Sequence, residues 1–263
     1  MTEEEKDAWI ISQAKILPDR KQEDFYKSLC GTKKIINMPE RSEIAEFCQK
    51  VSNGEITVVY YTYYEEFDGY GFYHGDWEHE FYDPDYAMKF ISSVIKGCHD
   101  LVILEEYEQA FEILDEIINL KFAIEDHPET EDNCEYEQMD LNMAVYERIL
   151  LLDTGGLLRD YIESCRHSVN DASRAAEKIV EALEMELFKD CETYSDIIIT
   201  EKDPLLPEIK KKLTDVLNRY EKEHAEKREK KGEHYWDEFY DMKRIGRISA
   251  LIEYYGKIGN KQE

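Results

Sequence analysis

The chain has few residues that break helices and few bases. Only 12 of its 263 residues are Gly and only 6 are Pro. Because these two residues break helices and because Glu, Lys and Leu are abundant, the composition favours long helices. Hydrophobic residues make up 42%, which is enough for a sizeable core. The 33 Lys and Arg against 60 Asp and Glu give a net charge of −27. That charge repels nucleic-acid phosphates and anionic lipids.

Three further absences narrow the class of protein. The six cysteines include no CxxC pair, so we expect free thiols in a reducing compartment rather than a disulfide framework. No run approaches the roughly 20 apolar residues of a membrane span. The first residues, "MTEEEKDAWI", lack the basic and apolar regions of a signal peptide. These features predict a cytoplasmic protein with no membrane partner and no direct nucleic-acid binding.

The charge is distributed unevenly along the chain. The segment from Glu65 to Arg148 holds 24 acids and four bases, whereas the segment from Lys210 to Lys231 holds nine bases and five acids. The acidic third is either a set of solvated helix faces or a surface for a basic partner. The basic run is either a solvated helix or a surface for an acidic partner, including the acidic third itself.

The chain reads as three segments of one continuous domain. Residues 1–53 predict short helices in "EEEKDAWIISQAKIL", "DRKQEDFYKSLC" and "PERSEIAEFCQKV". Residues 54–83 are rich in aromatic and β-branched residues around "DGYG", which predicts a β-hairpin. Residues 84–263 are helical in pattern throughout, including a helix over Tyr136 to Leu152 and a turn or kink at "DTGG".

The stretch "EEYEQAFEILDEIINL" indicates how the helices pack. Tetratricopeptide-type hairpins place an aromatic at the start of the second helix and a small residue where the two helices approach most closely. Here Tyr107 can fold back over the turn, Ala110 admits the preceding helix, and Phe111 and Leu114 fill the groove. The predicted fold is therefore mainly α: a tetratricopeptide-like stack of antiparallel helix pairs, or α-solenoid, with one β-hairpin in the N-terminal third.

The region from about Asp85 to Tyr220 resembles the helical region of bacterial SWIM zinc-finger proteins. The resemblance rests on "EEYEQAFEILDEI", the acidic linker "EDHPETEDNCE", "NDASRAAEKIVEALEMELFKDCETYSDII" and "LPEIKKKLTDVLNRY". The CxC pair that the finger requires does not occur in the sequence, although Cys165 and His167 have the CxH spacing. The resemblance therefore implies a helical fold and a role in protein interaction, and it implies neither zinc nor nucleic-acid binding.

The segment "HGDWEHE" is the best candidate for a metal site. His74, Asp76 and His79, with Glu78 or Glu80, are possible ligands. On a strand, however, His74 and Asp76 share one face and His79 points to the other. We therefore predict no metal and no other cofactor, and a hydrolase built on this segment is the least favoured function.

The acidic pair Glu105 and Glu106 is the nearest sequence feature to a general acid and base. With 60 acids in the chain, adjacent pairs arise by chance. No histidine or nucleophile pattern accompanies this one. We expect a protein that is not an enzyme.

The hairpin contains more aromatic residues than one buried face can use. Exposed tyrosine and tryptophan are frequent interface anchors, which makes Tyr64, Tyr70, Tyr73 and Trp77 the candidate partner-binding residues. The sequence thus predicts a non-enzymatic interaction or scaffold module for a protein or peptide partner, and it leaves open both a basic partner and a homo-oligomer. The alternative is an acidic inhibitor that mimics nucleic acid on a partner protein.

Overall fold

The computed structural model describes residues 38–67, 70–71, 73–130, 132–189, 191, 199, 203–231 and 238–259. The first two predicted helices fall within residues 1–37 and lie outside the described residues. The helices of the described part are α1 (Arg41–Ser52), α2 (Ala87–Ile103), α3 (Tyr107–Ile117), α4 (Leu141–Tyr146), α5 (Thr154–Ser168), α6 (Ala172–Glu184), α7 (Leu205–Lys231) and α8 (Glu238–Gly259). The strands are β1 (Thr57–Phe67), β2 (Tyr73–Tyr82), β3 (Lys121–Asp126) and β4 (Gln138–Asp140). The described residues are mostly helical, which confirms the mainly α class.

Helix α1 begins where the sequence predicts it, just after Pro39. A capping box closes its first turn, because the Glu40 side chain accepts from the helix backbone and the Glu43 carboxylate accepts from the Glu40 N–H at 2.9 Å. One face of the helix is buried, and Phe47 on that face stacks on Phe90 of α2 with ring centroids 4.4 Å apart. Phe47 also lies 6.5 Å from the ring of Phe122 on β3. Helix α1 therefore packs between the sheet and α2.

The aromatic segment forms the predicted antiparallel hairpin, but the hairpin belongs to a larger sheet. Strand β1 pairs with β2 on one side and, in parallel, with β3 on the other, and β3 pairs antiparallel with β4. The order is β2-β1-β3-β4. Helices α2 and α3 lie between β1 and β3 in sequence and supply the crossover that parallel strands require. The prediction of a single hairpin was therefore wrong in the number of strands, because it missed β3 and β4.

The prediction that everything after Pro84 is helical was also wrong. The segment "KFAIED" is strand β3, and the predicted helix over Tyr136 to Leu152 is strand β4 followed by the short helix α4. The apolar run in "KFAIED" is only three residues long, which is too short to distinguish a strand from a helix by periodicity. The "DTGG" stretch begins a helix, since the Asp153 carboxylate accepts from the Gly156 N–H at 3.0 Å and caps α5.

Three helices end on a residue in the left-handed conformation. Gly54 after α1, Glu105 after α2 and Arg148 after α4 have φ angles of 72°, 63° and 60°. After α2, the Glu105 N–H donates to Val102 and the next N–H donates to Leu101, at 3.1 and 2.9 Å. This is the Schellman arrangement, in which glycine is the usual left-handed residue. Glu105 therefore occupies a strained backbone position that is usually taken by glycine.

We expect Glu105→Gly to stabilise the protein by about 1 kcal/mol, because glycine adopts a positive φ without the steric cost that a Cβ imposes. Glu105→Ala is the matched control. It also removes the carboxylate from the helix C-terminus but keeps the Cβ. Urea unfolding of the two variants isolates the backbone effect. Equal stability of the two would contradict the strained-turn interpretation.

Helix α3 carries the tetratricopeptide-like residues. Ala110 and Leu114 are fully buried. Tyr107 stacks on His167 of α5 with ring centroids 4.3 Å apart. The Phe111 ring lies 5.5 Å from the ring of Tyr161, which is also on α5. Tyr107 and Phe111 therefore contact α5, which follows β4 and α4 in the sequence.

Helices α3, α5 and α6 are joined by a partly buried polar contact. The Tyr161 hydroxyl on α5 donates to the Asp115 carboxylate on α3 at 2.7 Å, and Lys178 on α6 pairs with the same carboxylate at 3.2 Å. Burial, with the Asp115 hydrogen bond, raises the pKa of Tyr161 well above its usual range. Helix α6 buries one apolar stripe, whose buried members are Ala175, Ala176, Ile179, Val180 and Leu183.

The basic run lies on α7, which packs between α6 and α8. Lys227 in its second half pairs with Asp241 of α8 at 2.9 Å. Over the part of the chain that the structure describes, none of the helices combines the length and the apolar character needed to cross a membrane.

Candidate functional site

The β1–β2 hairpin divides its side chains between two faces. Directly opposite residues of an antiparallel pair point to the same side. The pairs Tyr60↔Phe81, Thr62↔His79 and Tyr64↔Trp77 form one face. The pairs Val59↔Tyr82, Tyr61↔Glu80 and Tyr63↔Glu78 form the other.

The first face is buried near the body and exposed toward the turn. Phe81 and Thr62 are buried, whereas Tyr64 is 49% exposed and Trp77 is 44% exposed. The rings of Tyr64 and Trp77 meet edge to face with centroids 5.5 Å apart, a favourable arrangement for aromatic pairs. We call these two residues the tip pair. The structure thus brings together two of the four predicted partner-binding residues.

The other two predicted residues lie beyond the tip pair. Tyr70 is in the turn and is 90% exposed. Tyr73 begins β2, where its backbone is opposite Phe67, and its side chain is outside the described residues. Tyr70 is therefore the most accessible of the predicted anchors.

The second face holds three tyrosines that the sequence prediction left out of the site. Tyr61 stacks on Tyr63 at 5.9 Å between centroids and lies 6.3 Å from Tyr82. We call these three residues the tyrosine row. The alternation of β1 could have identified this face, because Tyr61 and Tyr63 are two residues apart and share one side of a strand.

Carboxylates accompany the tyrosine row. Glu78 and Glu80 lie on the same face as its members. The Tyr82 hydroxyl donates to the Glu80 carboxylate, and this hydrogen bond raises the pKa of Tyr82 to about 12. The tyrosine therefore remains a neutral hydrogen-bond donor at physiological pH, next to an acidic side chain.

The base of the hairpin is held by the loop after β3. The His127 N–H donates to the Tyr60 carbonyl at 2.8 Å, and the Thr130 hydroxyl donates to the same carbonyl at 3.2 Å. The His127 ring meets Tyr61 edge to face at 5.1 Å. The hairpin thus has a fixed base and an accessible outer end, which is a suitable arrangement for a rigid binding element.

The residues of the candidate metal segment are only partly described. His79 pairs with Glu147 of the loop after α4 at 3.6 Å, and its ring lies 5.7 Å from Tyr60. The side chains of His74 and Asp76 are outside the described residues. Within the ranges that the structure describes, no three His, Cys, Asp or Glu side chains are grouped so as to hold a metal ion.

The acidic pair considered for catalysis has a structural position. Glu105 and Glu106 form the turn between α2 and α3, and both donate backbone N–H groups to the end of α2. The two residues therefore terminate α2 through their backbone N–H groups.

Comparison of the chain with protein-family models, with curated proteins and with solved structures finds no match in any of the three. The functional interpretation of this protein consequently rests on its own geometry and charge.

Proposed function

We propose that the protein is a non-enzymatic interaction module whose hairpin binds a basic segment of a protein partner. The observation that carries this proposal is the exposed tip pair at the outer end of a hairpin with a fixed base. Tyr64 and Trp77 offer large aromatic area, and such residues lose little conformational entropy when a partner covers them. Tyr70 extends the same exposed end.

The sign of the partner's charge follows from the second face. Glu78 and Glu80 stand among the members of the tyrosine row, so a lysine or arginine there meets both a carboxylate and an aromatic ring. Cation–π contacts and charge-assisted hydrogen bonds then act on one side chain. The surrounding acidic third, with 24 acids and four bases, attracts basic segments over a longer range.

Strand β2 is an edge strand in the described sheet, because its only described neighbour is β1. Edge strands present main-chain groups on which an extended segment can pair. Two copies of this chain pairing antiparallel through β2 about His79 would oppose Glu78 of one copy to Glu80 of the other, which is unfavourable. A basic partner is therefore favoured over a second copy at this edge.

We further propose that the helices form a tetratricopeptide-like stack that supports the hairpin. The support is that α2 packs on α3, α5 on α6, α6 on α7 and α7 on α8, each next to its neighbour in sequence. Such sequential packing is typical of helical-repeat scaffolds.

The proposal is tested by capturing partners from extracts of the native host with the full chain and then measuring the affinity of the purified partner. We expect Trp77→Ala to weaken binding by about 2 kcal/mol or more, roughly 30-fold, with an unchanged melting temperature. Phe239→Ala is the matched control, because Phe239 is also an exposed aromatic, 68% accessible, but lies on α8.

Three outcomes would contradict the proposal. A similar loss in both variants would show that the tip pair is not an anchor. A melting temperature lowered by Trp77→Ala would place Trp77 in the stabilising core. If Trp77→Ala leaves the affinity unchanged but high salt abolishes binding, the partner binds to exposed acids and not to the tip pair. That result would favour the nucleic-acid mimic, because salt screens exposed charges.

A further inference from the structure

A cavity lies among the C-terminal helices, far in sequence from the hairpin. Its walls come from the end of α6, the following 3₁₀ turn (Glu186–Phe188), α7 and α8. The cavity has a volume of about 470 Å³, within the range of small-molecule pockets. Its lining residues are Glu184, Glu186, Lys189, Tyr220, Tyr240, Lys243, Arg244, Arg247 and Ile248.

The cavity is basic although the chain is strongly acidic. Four of its lining residues are bases and two are acids, so the lining carries a net charge of +2. Both acids have partners nearby. Glu184 pairs with Arg219 at 2.6 Å and Glu186 with Lys189 at 2.8 Å.

Three of the bases are not neutralised by these pairs. Within the described part of the chain, no carboxylate lies within ion-pair distance of Lys243, Arg244 or Arg247. The hydrogen bond from Lys189 lowers the pKa of Glu186, and the charges of Arg247 and Lys243 lower it further. The positive field of these bases therefore extends into the cavity.

The two arginines are held in place by the protein. Arg244 stacks over the Tyr220 ring with its Cζ 4.1 Å from the centroid. The Arg247 Nη2 donates to the carbonyls of Leu183 and Met185, at 2.7 and 3.3 Å. A guanidinium has five N–H groups in a planar fork, so each arginine keeps donors for a ligand while its orientation is set by the protein.

We propose that this cavity binds a small organic phosphate, with the phosphate held by Lys243, Arg244 and Arg247. A phosphate monoester carries about −1.5 to −2 charge at pH 7 and three acceptor oxygens, which matches the net charge of the lining and the three converging bases. Tyr240 and Ile248 add apolar surface for the organic part of the ligand. The site is independent of the hairpin and of the protein partner proposed there.

Isothermal titration with adenosine monophosphate in phosphate-free buffer at low salt tests this site. We expect saturable binding at one site, weaker competing binding by inorganic phosphate, and none by adenosine. Arg244→Gln should weaken the affinity about tenfold or more, because it removes charge-assisted hydrogen bonds. Lys243→Gln changes an exposed side chain and serves as a second variant if Arg244→Gln alters the melting temperature.

Lys257→Gln is the matched control. It removes the same charge from α8, 14 residues or about 21 Å along the helix from Lys243, and it should leave the affinity unchanged. Equal weakening by Lys257→Gln would indicate diffuse attraction and overturn the proposal. So would the absence of saturable binding by both phosphate probes. Citrate binding as tightly as the nucleotide, with the same dependence on Arg244, would overturn the assignment to phosphate in favour of carboxylates.

Discussion

Replacing Phe122 with alanine is expected to lower the free energy of unfolding by about 3–5 kcal/mol, because the loss of a buried ring leaves a cavity that the surroundings fill only partly. Phe122 is fully buried on β3, 6.5 Å between ring centroids from Phe47 of α1. Urea unfolding, with the midpoint and slope compared with those of the parent protein, measures the change.

The control for this experiment is Phe239→Ala, the same substitution at a residue that is 68% exposed. It should change the stability by less than about 0.5 kcal/mol. If Phe122→Ala behaves like the control, the segment 121–126 is not a buried strand and the helical prediction for this segment becomes tenable again. The pair of variants therefore tests whether Phe122 is part of the buried core.

The second large effect is expected at Ala110, which the tetratricopeptide-like pattern places where two helices approach most closely. The residue is fully buried on α3, and a leucine there would overpack its surroundings by about 1–3 kcal/mol. For a chain of this length, that corresponds to a fall of several degrees in melting temperature.

Gln109→Leu introduces the same side chain at the preceding position, which is exposed, and it should melt like the parent protein. A parent-like melting temperature for Ala110→Leu would show that the helices leave room at this position. In that case the hairpin interpretation of "EEYEQAFEIL" would be wrong.

The sequence predicted the candidate site in outline because the relevant signals are local. Alternating aromatic residues around "DGYG" predicted the hairpin, and the excess of rings predicted that some would be exposed. The exposed tip pair and Tyr70 are among the residues named for that reason. The alternation of β1 already placed Tyr61 and Tyr63 on one face, but the register that adds Glu80 and Tyr82 to this face is a property of two strands.

The sequence by itself determined the helical elements with long periodic patterns. Helix α1 and the buried stripe of α6 follow from apolar residues at spacings of three and four. The sequence allows Asn170 or Asp171 as the cap of α6, and the structure has Asp171 there. The acidic residue at the α2–α3 turn was also visible in the sequence. These features depend on neighbours a few residues away, so the sequence contains the information that specifies them.

Only the tertiary structure decided which short segments became strands and where distant bases converge. Residues 121–126 are a strand because β1 is available for parallel pairing and α1 covers Phe122, and neither partner is near in sequence. The cavity joins Glu184 on α6 to Arg247 on α8 across more than 60 residues. Long-range pairing of this kind leaves no local period, because each residue's environment is supplied by elements that fold against it.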